Sequence, residues 1–160
     1  MPRPSVVVLG ITGTLIAGLI VGFLFIRHLL VKSYPLTSGG VTVAGIGAPA
    51  DVYRDVYGIP HLRAATTADL MFTTGYVQAQ DRLWQMDLMR RAGEGRLSEL
   101  FGERTLPFDM MFRMLNLREV ADSIEAHLHT ESLSALRSYA DGVNAFIDSH
   151  HGSYPPEFDM

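Results

Sequence analysis

Hydrophobic and polar positions divide this chain into two regimes. From Val6 to Ile26 there is no charged residue at all, a run of about 21 residues or about 31 Å as a helix, which matches the ~30 Å hydrocarbon core of a bilayer. Beyond residue 50 the apolar positions become periodic. From Leu70 to Arg91 they fall into two neighbouring helical stripes, one through Leu70, Val77, Trp84 and Leu88, the other through Phe72, Tyr76, Ala79, Leu83 and Met86, the pattern of a helix buried on more than one side. Thr66 or Thr67, ahead of Ala68-Asp69, suits its N-cap, and Gly93 with Gly95 interrupts it. Further helices are predicted near 95–101, 107–115, 117–128 and 131–149. The last carries a stripe through Leu133, Leu136, Ala140, Val143 and Ile147, with Thr130 as its cap and an end near Gly152. Short strands are expected at Val41-Thr42-Val43, at 51–54 and at 61–64, the last two joined by a turn through Gly58 and Pro60.

These elements suggest three regions. Residues 1–32 form a membrane anchor or signal segment. Arg27-His28-Leu29-Leu30 follows the apolar run where a cleaved signal would have a small-x-small site, which favours an uncleaved anchor. Arg3 lies on one side and Arg27 with Lys32 on the other, so charge alone barely orients it. Residues 33–50, with Pro35, Gly39, Gly40, Gly45, Gly47 and Pro49, form a linker and first strand. Residues 51–160 form a mostly helical α+β domain. Three short strands do not make a protected sheet, so this domain is expected to be incomplete.

Of the thirteen basic residues, three lie before residue 36, leaving ten arginines against seventeen acids, a formal charge of −7 for residues 36–160. That argues against a nucleic-acid partner. The chain has no cysteine, which excludes disulfides, thiol catalysis and cysteine metal sites. It contains no Gly-x-Ser-x-Gly elbow, phosphate loop or His-Glu-x-x-His helix. His127 with His129 and the pair His150-His151 are poor metal-site candidates, because i,i+2 side chains diverge on a helix and an adjacent exposed pair faces solvent. Trp84 and Met86, Met89, Met110, Met111 and Met114 recur at helical spacing and are expected in the core. Asp81-Arg82, with Gln78, Gln85, Arg90 and Arg91, reads either as a substrate cluster or as a structural network, the second favoured. If Asp81 is buried its carboxylate needs a partner, either Gln85 or an arginine from elsewhere.

The order of these residues is more specific than any one of them. Arg54-Asp55-Val56-Tyr57-Gly58-Ile59-Pro60-His61 is followed by Gly75-Tyr76-Val77-Gln78-Ala79-Gln80-Asp81-Arg82-Leu83-Trp84-Gln85-Met86-Asp87-Leu88-Met89-Arg90-Arg91, then by Gly95-Arg96-Leu97-Ser98-Glu99-Leu100-Phe101-Gly102, with Asp109 and Arg113 beyond. This order resembles the start of the penicillin acylase family of N-terminal nucleophile hydrolases. The likeness runs over nearly all of Val41 to Phe158, the smaller, N-terminal chain of such enzymes.

The resemblance implies the small-chain part of an αββα fold, incomplete here and preceded by the transmembrane helix. It implies a precursor that cuts itself, exposing a serine whose own α-amino group is the base. That serine is normally followed by asparagine, and no Ser-Asn pair occurs in this chain. The family's oxyanion-hole residues, calcium ligands and main small-chain substrate contacts also fall beyond Met160. No catalytic, cofactor or metal residue is therefore assigned. The matched residues Arg54, Asp55, Gly58, Pro60, His61, Asp81, Arg82, Gln85, Arg91 and Gly95 are expected to be a structural signature. The implied partners are the large chain from the same precursor and, through residues 5–26, a bacterial membrane, with the bulk of the chain on its periplasmic or extracellular side. The implied substrates are N-acyl compounds, such as a β-lactam with an amide side chain or an acyl-homoserine lactone. A reading from another class remains beside it: a membrane-anchored helical module that binds a partner and has no catalysis.

Overall fold

The computed structural model describes residues 4–31, 34–151 and 153–159. Its elements are α1 (Pro4–Val31), β1 (Asp51–Arg54), β2 (Pro60–Arg63), α2 (Thr67–Gly93), α3 (Ser98–Phe101), α4 (Leu106–Leu115), α5 (Leu117–Glu125) and α6 (Thr130–Ser149), with 3₁₀ turns at Gly102–Thr105 and Pro156–Asp159. The chain divides into two compact units, residues 35–152 and the two terminal segments.

In the terminal unit α1 is one continuous helix containing the whole uncharged run. Leu19, Phe23 and Phe25 on it are exposed. Among the described residues no helix is long and apolar enough to cross a membrane, so the expected spanning helix is not met there. The described side chains of α1 are those of residues 13–28 and Val31, so part of the Val6–Ile26 stretch behind that expectation lies outside them.

In residues 35–152 the framework is α2 packed on α6. Thr66 caps α2, its hydroxyl accepting from the Asp69 amide at 3.0 Å and donating to Asp69 Oδ2 at 2.7 Å. The other carboxylate oxygen of Asp69 accepts from Gly47 N at 2.8 Å and Ala48 N at 3.3 Å. One buried acid thus starts the helix and fastens the linker to it. Where the two helices cross, Gly75 faces the Tyr139 carbonyl and Gly142 the Phe72 carbonyl, so closely that a Cβ on either would stand about 2 Å from that oxygen. This approach lets Phe72, Tyr76, Val77, Ala79, Leu83 and Phe146 bury one another, with Tyr76 edge-on to Phe146 at 5.5 Å between ring centroids. Tyr139 seals the rim by donating from its hydroxyl to Gln78 Oε1 at 2.9 Å.

Several expectations need correction. Val41-Thr42-Val43 forms no strand; the described sheet is the antiparallel pair β1–β2, with Val52 opposite Leu62 and Arg54 opposite Pro60. The fold is therefore mostly helical with one small sheet. The linker takes its bonds from Asp69 and turns through Gly45 at φ +99°. The cap residue of α6 is His129, without a side-chain hydrogen bond, and Thr130 is the first helical residue. Met110, Met111 and Met114 on α4, and Leu70 and Met89 on α2, are exposed rather than core. Helix α2 is not straight: Arg82 has φ −145° and ψ 27°, breaking the helical run into two segments.

Candidate functional site

The signature residues gather in two places, one on each side of the Arg82 kink. On the N-terminal side, the β1–β2 turn is built on Asp55. Its Oδ1 accepts from Tyr57 N at 2.9 Å and Ile59 N at 3.0 Å, while its carbonyl accepts from Gly58 N at 2.9 Å. Gly58 has φ +77°, a left-handed conformation that glycine adopts without strain. Pro60 opens β2, and His61 Nε2 lies 3.3 Å from Asp55 Oδ2. The amide of Ile59, opposed by partial burial and helped by His61 and Tyr57, holds the Asp55 carboxyl below its usual range.

Arg54 ties this turn to α2. Its guanidinium donates to Asp81 Oδ2 at 2.9 Å and Oδ1 at 2.8 Å, to Gln80 Oε1 at 3.2 Å and to the Gly58 carbonyl at 3.2 Å. The two-pronged pairing with a carboxylate uses the planar fork that only arginine has. Asp81 is thus satisfied by an arginine from elsewhere in the chain. Arg82, next to it, donates instead to Gln85 Oε1 at 3.2 Å, and neither residue joins the Arg54 cluster.

On the C-terminal side, α2 ends in alternating charges. Asp87 accepts from Arg90 and Arg91, each at 2.7 Å. Arg91 also donates to Glu99 at 2.7 Å, and Arg96 bridges Glu94 at 2.8 Å and Glu99 at 2.7 Å. Burial pushes the Asp87 carboxyl up, but hydrogen bonds from Arg91 and Arg90 outweigh it and the net shift is down. Gly95, at φ +65°, lets the chain reverse; a Cβ there would stand 2.6 Å from the Asp109 carbonyl. Asp109 is the most buried acid among the described residues, 2 % exposed, and its carboxylate accepts from Leu97 N and Ser98 N, both at 2.8 Å. Burial again opposes, yet bonds from Ser98 and Leu97 hold it below its usual range. Arg113 closes the loop by donating from Nε to the Gly95 carbonyl at 2.9 Å.

Arg54, Asp55, Gly58, Pro60, His61 and Asp81 therefore share one cluster, while Arg91 and Gly95 belong to the other. Asp69 is legible in the sequence only as a first-turn acid three residues after Thr66, and Gln80, Glu94 and Glu99 carry no local signal of the contacts they make. Asp55, Asp87 and Asp109, whose carboxyls are held below their usual range by amides and arginines, are poorly suited to proton transfer near neutral pH. Among the described residues no group of three or more His, Asp or Glu is placed to hold a metal ion. His127 Nδ1 lies 2.7 Å from the Ser123 carbonyl, and His150 stacks on Phe146 at 4.1 Å.

The sequence model of the penicillin amidase family matches residues 49–160. The chain belongs to this family. It is 40% identical over 123 residues to the penicillin acylase 2 proenzyme of Pseudomonas sp. (strain SE83), covering 77% of this chain and 16% of that one. With penicillin G acylase of Escherichia coli it shares 41% over 97 residues, 61% of this chain and 12% of that one. With the acyl-homoserine lactone acylase QuiP of Pseudomonas aeruginosa it shares 33% over 123 residues, 77% of this chain and 14% of that one. Among solved structures, the thermostable penicillin G acylase of Alcaligenes faecalis superposes with a TM-score of 0.63 at 31% identity, over 69% of this chain and 60% of that one. The chain thus spans roughly an eighth to a sixth of the length of these curated penicillin amidase relatives.

Proposed function

We propose that this chain supplies the N-terminal, small-chain part of an amidohydrolase that is completed by a large chain from the same precursor. In that complete form the enzyme hydrolyses the amide of N-acyl compounds, a β-lactam side chain or an acyl-homoserine lactone. The observation that carries the reading is the 40% identity over 123 residues to a proenzyme of which this chain spans 16%. Supporting it, the β1–β2 hairpin leaves Tyr53, Val56, Tyr57 and Ile59 exposed, Val56 to 93%, an apolar surface of the kind a further chain covers. On this reading the nucleophile and its base belong to the large chain, residues 35–160 frame it, and no cofactor is assigned to them.

Residues 5–26 serve, in this proposal, as an anchor in a bacterial membrane, with the rest of the chain on the periplasmic or extracellular side. Carbonate extraction with N-terminal sequencing tests it: the chain stays in the pellet with its first residues intact, whereas a soluble species beginning after residue 26 refutes the anchor.

The functional reading is tested by co-expressing the chain with the part of the Pseudomonas sp. penicillin acylase 2 proenzyme that lies beyond the matched segment. The two polypeptides co-purify and the chain becomes more soluble; amidase activity on phenylacetyl or long-chain acyl amides follows the complex and is absent from the chain alone. Turnover by the chain alone, after removal of host acylases, contradicts the assignment of the nucleophile.

A further inference from the structure

An open groove of about 500 Å³ runs beside β1, lined by all four β1 residues and by none of β2, so it lies on the side of β1 away from its partner. Its far wall is the linker, including Leu36, Val41 and Val43, and its floor is Phe72, Tyr76 and Val77 of α2. The sheet has only two strands among the described residues, so the backbone N–H and C=O groups of β1 that face this groove have no strand opposite them. An unpaired edge of this kind is a template for another strand. The dimensions agree with that occupant. A strand residue occupies a slab about 3.3 Å long, 4.8 Å wide and 10 Å deep, so the groove holds about three residues of strand, close to the length of β1. The lining also separates it from a hydrocarbon site, because Thr37, Ser38, Asp51, Thr73 and Gln80 stand among its apolar residues. A peptide, with its polar backbone and alternating side chains, matches that mixture better than an acyl chain does.

We propose that this groove receives one extended strand from the large chain, hydrogen-bonded to the free edge of β1 and laid on Phe72 and Tyr76. The proposal rests on the functional reading above, which supplies the occupant: the relative that matches over 123 residues is about six times the length of the matched part. Exposed Val41 and Tyr53 at the rim meet side chains on the two faces of the incoming strand.

The test is hydrogen exchange on the full 160-residue chain, alone and co-expressed with the remainder of the Pseudomonas sp. proenzyme. In the complex the amides of residues 51–54 exchange at least tenfold more slowly than in the chain alone. Co-purification with unchanged exchange at 51–54 overturns this inference and leaves the functional reading standing; failure to co-purify overturns both. Protection at 51–54 that grows with the concentration of the chain alone assigns the edge to a second copy and also overturns it. Val41→Trp, which fills the groove from its exposed wall, lowers the yield of co-purified partner at least tenfold. Glu131→Trp, at an exposed position of α6, leaves it unchanged. Equal yields from the two variants overturn the proposal.

Discussion

Replacing Gly142 by alanine is the sharpest test of the α2–α6 framework, because helix propensity and packing pull in opposite directions. As a residue in the middle of α6, alanine stabilises the helix by about 1 kcal/mol over glycine. As a residue at the crossing, it places a Cβ 1.9 Å from the Phe72 carbonyl oxygen, 2.8 Å from that carbonyl carbon and 3.0 Å from Tyr76 N. All three are backbone atoms, so no side chain can swing away, and the helices must separate by about 1 Å to restore contact distance. That separation loosens Phe72, Tyr76 and Phe146 together, and overpacking of this kind costs about 3 kcal/mol. The net expectation is a loss of about 2 kcal/mol, or on the order of 10 °C in Tm. The chain has one tryptophan, Trp84, carried on α2, so its fluorescence during thermal unfolding of the full chain in detergent reports this unit rather than α1. Gly93→Ala is the control, since a Cβ there meets nothing within 4 Å; it leaves Tm unchanged or slightly higher. Gly75→Ala damages the same crossing, and the double variant loses less than the two single losses combined. A Gly142→Ala chain as stable as the parent refutes the close approach of α2 and α6.

Arg54→Ala removes three hydrogen bonds between the hairpin and α2 and a fourth within the hairpin turn, and destabilises by about 2 kcal/mol in urea unfolding, as expected for charge-assisted hydrogen bonds. Arg54→Lys recovers less than half of that, because a single ammonium cannot reproduce the paired contact with Asp81. Acid weakens the fold in a defined direction. Asp55, Asp69, Asp87 and Asp109 all have folded carboxyls below their usual range, so their contribution is fully present above the unfolded value near 4 and is lost as pH falls through the lower folded values. Trp84 fluorescence therefore holds steady from pH 7 to about 5 and shifts below about 4; an unfolding transition centred between pH 5 and 7 contradicts this. Asp109→Asn, which keeps the side-chain shape, weakens that acid dependence by removing one of the four lowered carboxyls.

Much of the framework is readable from local chemistry. Thr66 and Asp69 announce the start of α2, Gly93 its end, and the turn at Gly58-Ile59-Pro60 separates β1 from β2. Asp81 is recognisably an acid in need of a partner. That the partner is Arg54 is not readable, since 27 residues separate them in the chain and only the folded hairpin brings them together. Gly75 and Gly142 look like helix-weakening positions until two helices are laid across each other, and the Arg82 kink occurs without proline or glycine at that residue. The alternation of Val41-Thr42-Val43 suggests a strand, but a strand exists only with a neighbour, and the linker's bonds go to Asp69 instead. The helical spacing of Met110, Met111 and Met114 correctly signals α4; burial depends on what packs against that helix, which periodicity does not reveal.

The most direct test of the functional account is a chimera in which residues 35–160 replace the corresponding part of the Pseudomonas sp. penicillin acylase 2 proenzyme. Self-cleavage and hydrolysis of an N-acyl substrate by this chimera is the predicted result. A soluble, folded chimera that neither matures nor turns over substrate, beside a parent proenzyme that does both, would contradict the claim that these residues form the small-chain frame of an amidohydrolase.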